Sequence, residues 1–223
     1  MAGAPVAAGA MATAAMGQFK LSKMLPRVIK MFTDPRGFWQ EVAGEQGGVG
    51  AVMPAVIVFV TVSSLAGFIG TILSTLMNPL LRMIFGRMMI GAVVTLVIGV
   101  ALGVGFWFLL AILIKAFAKT FGGSDSMEGA TKIAFGALMP MWVASVFSII
   151  PFRVIGLLAS LGGFGYGVYL MWLGLQEVNA TPKDKAVGYT AATMAIYIVS
   201  AGVGMAILGI IGGCFLGAAV LAG

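Results

Sequence analysis

Histidine is absent from this 223-residue chain, and Cys214 is its only cysteine. An internal disulfide is therefore excluded, and the usual His/Cys zinc sites cannot form. Cys214 lies in an apolar run, which favours a buried, unreactive thiol over a nucleophile. We expect no metal and no cofactor.

Charge is also scarce. Charged residues make up 9% of the chain and hydrophobic residues 61%, whereas a soluble domain carries about 25% charged residues. Water cannot be the solvent for most of this surface. The composition predicts one all-α integral membrane domain.

The apolar stretches contain no Asp, Glu, Lys or Arg near their centres. Coupled transporters need such groups inside the membrane, so their absence counts against proton- or ion-coupled transport. Their absence does not exclude a passive pathway or a lipid groove. Paired carboxylates at helical spacing and a phosphate-binding P-loop are missing too, and we therefore expect no enzyme activity.

Five stretches are long enough to cross a bilayer, which takes about 20 apolar residues. They cover residues 51–76, 88–114, 133–150, 154–175 and 186–211, the last with a possible extension to 221. The third is short and contains Pro140. The last is too long for one upright helix, so we expect a tilted helix with a break or a soft point at Gly212–Gly213. Residues 51–223 are then the five-span domain, residues 19–50 interfacial helices, and residues 1–18 a disordered tail instead of a signal peptide.

Lysine and arginine are sorted toward one side of these spans. Ten lie in the N-terminal segment and in the connections after spans two and four, against three on the opposite side. This bias predicts a cytoplasmic N-terminus and a C-terminus outside. Because the basic residues border apolar runs, anionic lipid headgroups explain them better than nucleic acid does.

The N-terminal segment has the pattern of a basic amphipathic helix on a membrane surface. Its basic residues are Lys20, Lys23, Arg27 and Lys30. Asp34 and Pro35 then predict the N-cap and first turn of a second short helix. Phe38, Trp39 and Val42 would anchor that helix in the interface. The alternative is an ordinary helix packed on the end of the bundle, and the two are compatible.

Lys183 and Lys185 open the last span and belong to the same polar face. Glycines at four-residue spacing let helices approach closely in lipid. They are Gly99 and Gly103, Gly163 and Gly167, and Gly209, Gly213 and Gly217. We expect close packing inside one chain, with a homo-oligomer interface as the alternative. Pro140 either opens a cavity or, more commonly, bends its helix for packing.

Three stretches, taken in order, resemble a known family. Residues 34–39 (DPRGFW) resemble the entry motif of bacterial proteins with a Yip-type domain. Residues 121–124 with 134–140, and residues 166–175 with 182–186, resemble its central loop and later spans. The resemblance covers roughly residues 24–211 and implies five spans with a cytoplasmic N-terminus. It places the protein in a bacterial cytoplasmic (inner) membrane. Eukaryotic relatives interact with Rab proteins, but their Asp-Leu-Tyr-Gly-Pro signature is missing here, so Rab binding is not implied.

These features favour a non-enzymatic scaffold or adaptor that organises lipid or partner proteins at the cytoplasmic face. The alternative is a small transporter or lipid-handling protein with a cavity between spans, near Pro140.

Overall fold

The computed structural model describes residues 24–82 and 85–221, excluding the side chains of residues 81, 82, 85, 87, 88, 90, 153 and 207–221. Residues 1–23, with the expected tail and with Lys20 and Lys23, lie outside this description. The helices are α1 (Met24–Thr33), α2 (Pro35–Gly44), α3 (Val49–Met77), α4 (Pro79–Arg82), α5 (Phe85–Ala118), α6 (Met127–Ala144), α7 (Arg153–Glu177) and α8 (Lys183–Leu221). A 3-10 segment, Ser145–Ile149, follows α6.

Five of these helices, α3 and α5 to α8, are long and apolar enough to cross a membrane. The described residues form helices and loops and contain no strand. Large apolar side chains such as Val97, Leu158 and Val199 are mostly exposed on the outside of the bundle. So much exposed apolar surface needs hydrocarbon as its solvent. The prediction of an all-helical, five-span membrane protein is confirmed.

The third span begins earlier than its apolar run. The hydroxyl of Ser126 accepts a hydrogen bond from the Gly129 amide at 3.3 Å and caps α6, so the helix starts six residues before Ile133. Lys132, which we expected in a loop, therefore lies inside α6. The helix ends at Ala144, and the 3-10 segment supplies the remaining length. The last helix, α8, continues through Gly212 and Gly213, where we expected a break or a soft point.

The central helix is α6. Of its most apolar stretch 56% is buried, against 22% to 28% in the other four spans. It packs against α3, α5 and α7, while α8 packs against α5 and α7. Pro140, in the middle of α6, is buried. The third span is thus the one most enclosed by protein.

Glycines make the closest helix contacts inside the chain. A Cβ atom at Gly103 would lie 2.4 Å from Val60 Cγ1, and one at Gly99 would lie 3.4 Å from the Ser64 hydroxyl oxygen. On the other side of the bundle, a Cβ at Gly167 would lie 2.2 Å from the Ala137 carbonyl oxygen. Gly163 likewise faces Ala144 and Pro140. These four glycines pack within one chain, whereas the surroundings of Gly209, Gly213 and Gly217 lie outside the described side chains.

We predict that Gly167→Ala destabilises the bundle by about 1–3 kcal/mol relative to Gly165→Ala, because the added methyl group meets the α6 backbone. Nothing lies within 4 Å of a Cβ at Gly165, so both substitutions share the same helix-propensity gain and only one has the clash. Thermal unfolding in detergent measures the difference. Equal melting temperatures for the two variants would show that α6 and α7 are not this close.

Candidate functional site

The N-terminal helices are joined by a cap that the sequence predicts. The Asp34 side chain accepts a hydrogen bond from the Gly37 amide at 2.9 Å, and Pro35 occupies the first turn of α2. A Cβ at Gly37 would lie 2.0 Å from Asp34 Oδ2. Glycine at residue 37 thus leaves room for the cap carboxylate in this position. This cap fixes the angle at which α1 leaves α2.

Trp39 attaches α2 to the bundle. Its side chain is fully buried, and it lies against Gly136 of α6 and Gly174 of α7. A Cβ at Gly136 would be 2.4 Å from Trp39 Cη2, and a Cβ at Gly174 would be 2.8 Å from Trp39 Cζ2. Phe38 is also buried and packs edge-on against Trp39 at 5.0 Å between ring centroids. Both rings are buried in the protein, so α2 packs on the end of the bundle.

Helix α1 is attached to α7 through one of its backbone carbonyl groups and through the ring of Phe32. The Tyr166 hydroxyl of α7 donates a hydrogen bond to the Met31 carbonyl oxygen at 2.6 Å. Phe32 stacks on the Tyr166 ring with 5.1 Å between centroids. On the outer side of α1, Leu25 and Ile29 are exposed. The expected apolar stripe is present, and its placement on a membrane surface stays a prediction.

The basic side chains of α1 face acidic partners. The Arg27 guanidinium pairs with Glu45, and Lys30 Nζ lies 2.7 Å from Glu41 Oε1. Partial burial lowers the pKa of Arg27, and the charge of Glu41 opposes that shift. Both cations thus form ion pairs with α2 and the residue that follows it, a pairing between elements that helical periodicity does not reveal. Their attraction to anionic lipid stays a prediction.

Lys132 links the N-terminal helices to the central span. Its side chain is only 7% exposed, and its ammonium group lies 2.8 Å from Glu128 Oε1. It also donates a hydrogen bond to the Glu45 carbonyl oxygen. The same Glu128 oxygen accepts a hydrogen bond from the Gly47 amide at 2.9 Å. The first turns of α6 thus hold the connection between α2 and α3.

These contacts enclose a half-open cavity of about 840 Å³. Its wall combines charged and apolar side chains from α1, α2, α3 and α6. Arg27, Lys30 and Phe38, predicted from the sequence, are among its lining residues. Pro140 is not, and its carbonyl oxygen instead lies close to Gly163 of α7. Pro140 is buried and packs against α7.

Two loops lie at the same end of the bundle. The Ser124 amide donates to the Asn179 carbonyl oxygen at 2.8 Å, which joins the α5–α6 loop to the α7–α8 loop. Lys119 pairs with Asp125 at 2.9 Å. Their hydrogen bond raises the pKa of Lys119 and lowers that of Asp125. Lys183 and Lys185 are exposed beside these loops and do not line the cavity. We call this end, formed by α1, α2 and the two loops, the polar end.

The fold defines an integral membrane protein whose five-helix bundle is covered at one end by two short helices. The family model described as the Yip1 domain matches residues 29–204, well over half of the chain. The protein therefore belongs to the Yip1 domain family. Comparison with curated proteins and with solved structures gives no significant match. The matched range includes the Asp34 cap, Trp39 and both glycines that it contacts.

We predict that Trp39→Ala releases α1 and α2 from the bundle. Loss of a fully buried tryptophan costs about 3–5 kcal/mol, enough to open a short peripheral segment. Trypsin should then cut after Arg36, which is protected while α2 is packed. Gln40→Ala, an exposed position on the same helix, is the control and should leave the digestion pattern unchanged. Mass spectrometry of the fragments gives the result, and identical patterns for both variants would refute the attachment.

Proposed function

We propose that this Yip1 family protein is a non-enzymatic membrane scaffold or adaptor. Its polar end would hold anionic lipid or a partner protein, and the five spans would fix that end at the membrane. The observation that carries the proposal is the fixed position of α2. Because Trp39 is held between Gly136 and Gly174, the polar end is a preformed surface and not a loose tail. Preformed surfaces bind at a lower entropic cost.

The distribution of charge supports the same role. All four ion pairs found among the described residues lie at the polar end. The exposed lysines of the first turn of α8, Lys183 and Lys185, add positive charge there. Cations at this level of a membrane protein attract anionic lipids, at about 1 kcal/mol each. We therefore propose lipid, another membrane protein or a second copy of this chain as partners, and no nucleic acid.

The same residues support a proposal for the orientation of the chain across the membrane. Cytoplasmic connections carry the excess of lysine and arginine, so we propose that the polar end lies in the cytoplasm and the C-terminus outside. The proposed location is the cytoplasmic (inner) membrane of a bacterium. Rab binding is not proposed, because the signature of the Rab-interacting relatives is missing from the sequence.

Transport receives less support than scaffolding. The described cavity lies beside the N-terminal helices, and Pro140 does not line it. Around Pro140 the α6 and α7 backbones are in close contact at Gly163 and Gly167. A passage through the middle of the described bundle would have to separate these helices.

Photo-crosslinking in intact membranes tests the scaffold proposal. A photoreactive residue at Glu177 or Lys183 should give protein adducts of defined mass, because these exposed positions lie on the polar end. The same residue at Leu158 or Val199, equally exposed on the outside of the spans, should give lipid adducts instead. An adduct of twice the chain mass would identify a second copy as the partner. Protein adducts confined to Leu158 and Val199, or neither protein nor lipid adducts at the polar end, would contradict the proposal.

A further inference from the structure

The cavity at the polar end combines two kinds of surface. One part of its wall is charged and is formed by Arg27, Lys30, Glu41, Glu45 and Lys132. The facing part is apolar and is formed by Val52, Ala55, Phe59, Phe135 and Met139. Its volume of about 840 Å³ falls within the range of small-molecule sites, about 300–1,000 Å³. A ligand that fills it must carry both a polar group and an apolar part.

The sign of the polar group follows from the depth of the charges. The basic side chains, Lys132 the deepest, are 7% to 34% exposed, whereas their carboxylate partners are 44% to 59% exposed. Positive charge is therefore held deeper in the protein than negative charge. Exposed ion pairs are weak, so an anion of the ligand can replace the Glu45 carboxylate as the partner of Arg27 at little cost, while Lys132 keeps its pairing with Glu128.

Phosphate is the anion that suits this arrangement best. A guanidinium and an ammonium group bind phosphate oxygens through charge-assisted hydrogen bonds, and Arg27 and Lys132 supply one of each. Both pair with the residue Glu45, Arg27 with its carboxylate and Lys132 with its carbonyl oxygen, so both lie beside this residue. The apolar wall behind them suits the glycerol and first acyl carbons of a lipid.

We propose that this cavity binds the headgroup of one anionic phospholipid, with the phosphate between Arg27 and Lys132 and the start of the acyl chains on the apolar wall. The inference rests on the proposed function of the polar end and names the lipid group that it holds. The half-open shape of the cavity lets the acyl chains continue outside it.

Native mass spectrometry of the full chain in a nonionic detergent tests the proposal with three probes. Phosphatidylglycerol should be retained as one molecule per chain. Diacylglycerol, which lacks the phosphate, and glycerol 3-phosphate, which lacks the acyl chains, should not be retained. Failure to retain phosphatidylglycerol would overturn the proposal. Equal retention of glycerol 3-phosphate would overturn it too, because the site would then take a soluble phosphate ester.

Two substitutions locate the bound lipid. Lys132→Met should lower phosphatidylglycerol affinity at least tenfold, while Lys119→Met should leave it unchanged. Lys119 is the matched control, because it is an ion-paired lysine of the same end with an 80% exposed side chain outside the cavity. Equal affinities for these two variants would exclude the cavity as the lipid site.

Glu45→Gln should increase the affinity for phosphatidylglycerol, a result that misfolding cannot produce. It removes the carboxylate that competes for Arg27 and keeps the backbone carbonyl that bonds Lys132, so affinity should rise about threefold to fivefold. A decrease would contradict the exchange of partners at Arg27. Should phosphatidylglycerol fail to bind while crosslinks at Lys183 persist, only the cavity inference falls. Lipid retention without protein crosslinks would reject the protein partner alone and leave lipid as what the polar end holds.

Discussion

The insertion of Trp39 between Gly136 and Gly174 is the contact on which the rest of the polar end depends. An indole ring fits there because neither α6 nor α7 carries a side chain at the point of contact. Since Trp39 fixes α2, the Asp34 cap then fixes α1, and the two helices together form the outer wall of the cavity. The charged groups of that wall are therefore positioned by the Trp39 ring and by the absence of side chains at Gly136 and Gly174.

Lys132 adds a second constraint from inside the bundle. An ammonium group that is nearly removed from solvent is stable only with partners that replace its hydration. Glu128 and the carbonyl oxygen of Glu45 provide these partners. The first is one turn away on α6, whereas the second belongs to the chain leaving α2. Burial of this charge therefore ties the central span to the N-terminal helices, and it orients positive charge toward the cavity.

Much of the architecture follows from sequence, because hydropathy over some 20 residues is a strong signal. The five spans, the Asp34 cap and the close packing at Gly103 and Gly167 were predictable on local grounds. The packing of Trp39 between Gly136 and Gly174 was not predictable, since it joins three segments that are distant in the chain. An aromatic residue before a span is equally typical of the membrane interface. The ion pairs of Arg27 and Lys30 were not predicted for a related reason, because their acidic partners lie outside α1. The start of α6 was missed because Lys132 resembles a loop residue until its buried partners are known.

The location of the Trp39 ring tests this account most directly. In a chain whose other three tryptophans are replaced by phenylalanine, and whose helical circular dichroism is retained, Trp39 is the only tryptophan emitter. We predict that neither bromine-labelled acyl chains in the vesicle nor iodide in the buffer quenches it, because protein surrounds the ring on all sides. Strong quenching by the brominated lipid would place Trp39 in the bilayer interface and would contradict the account.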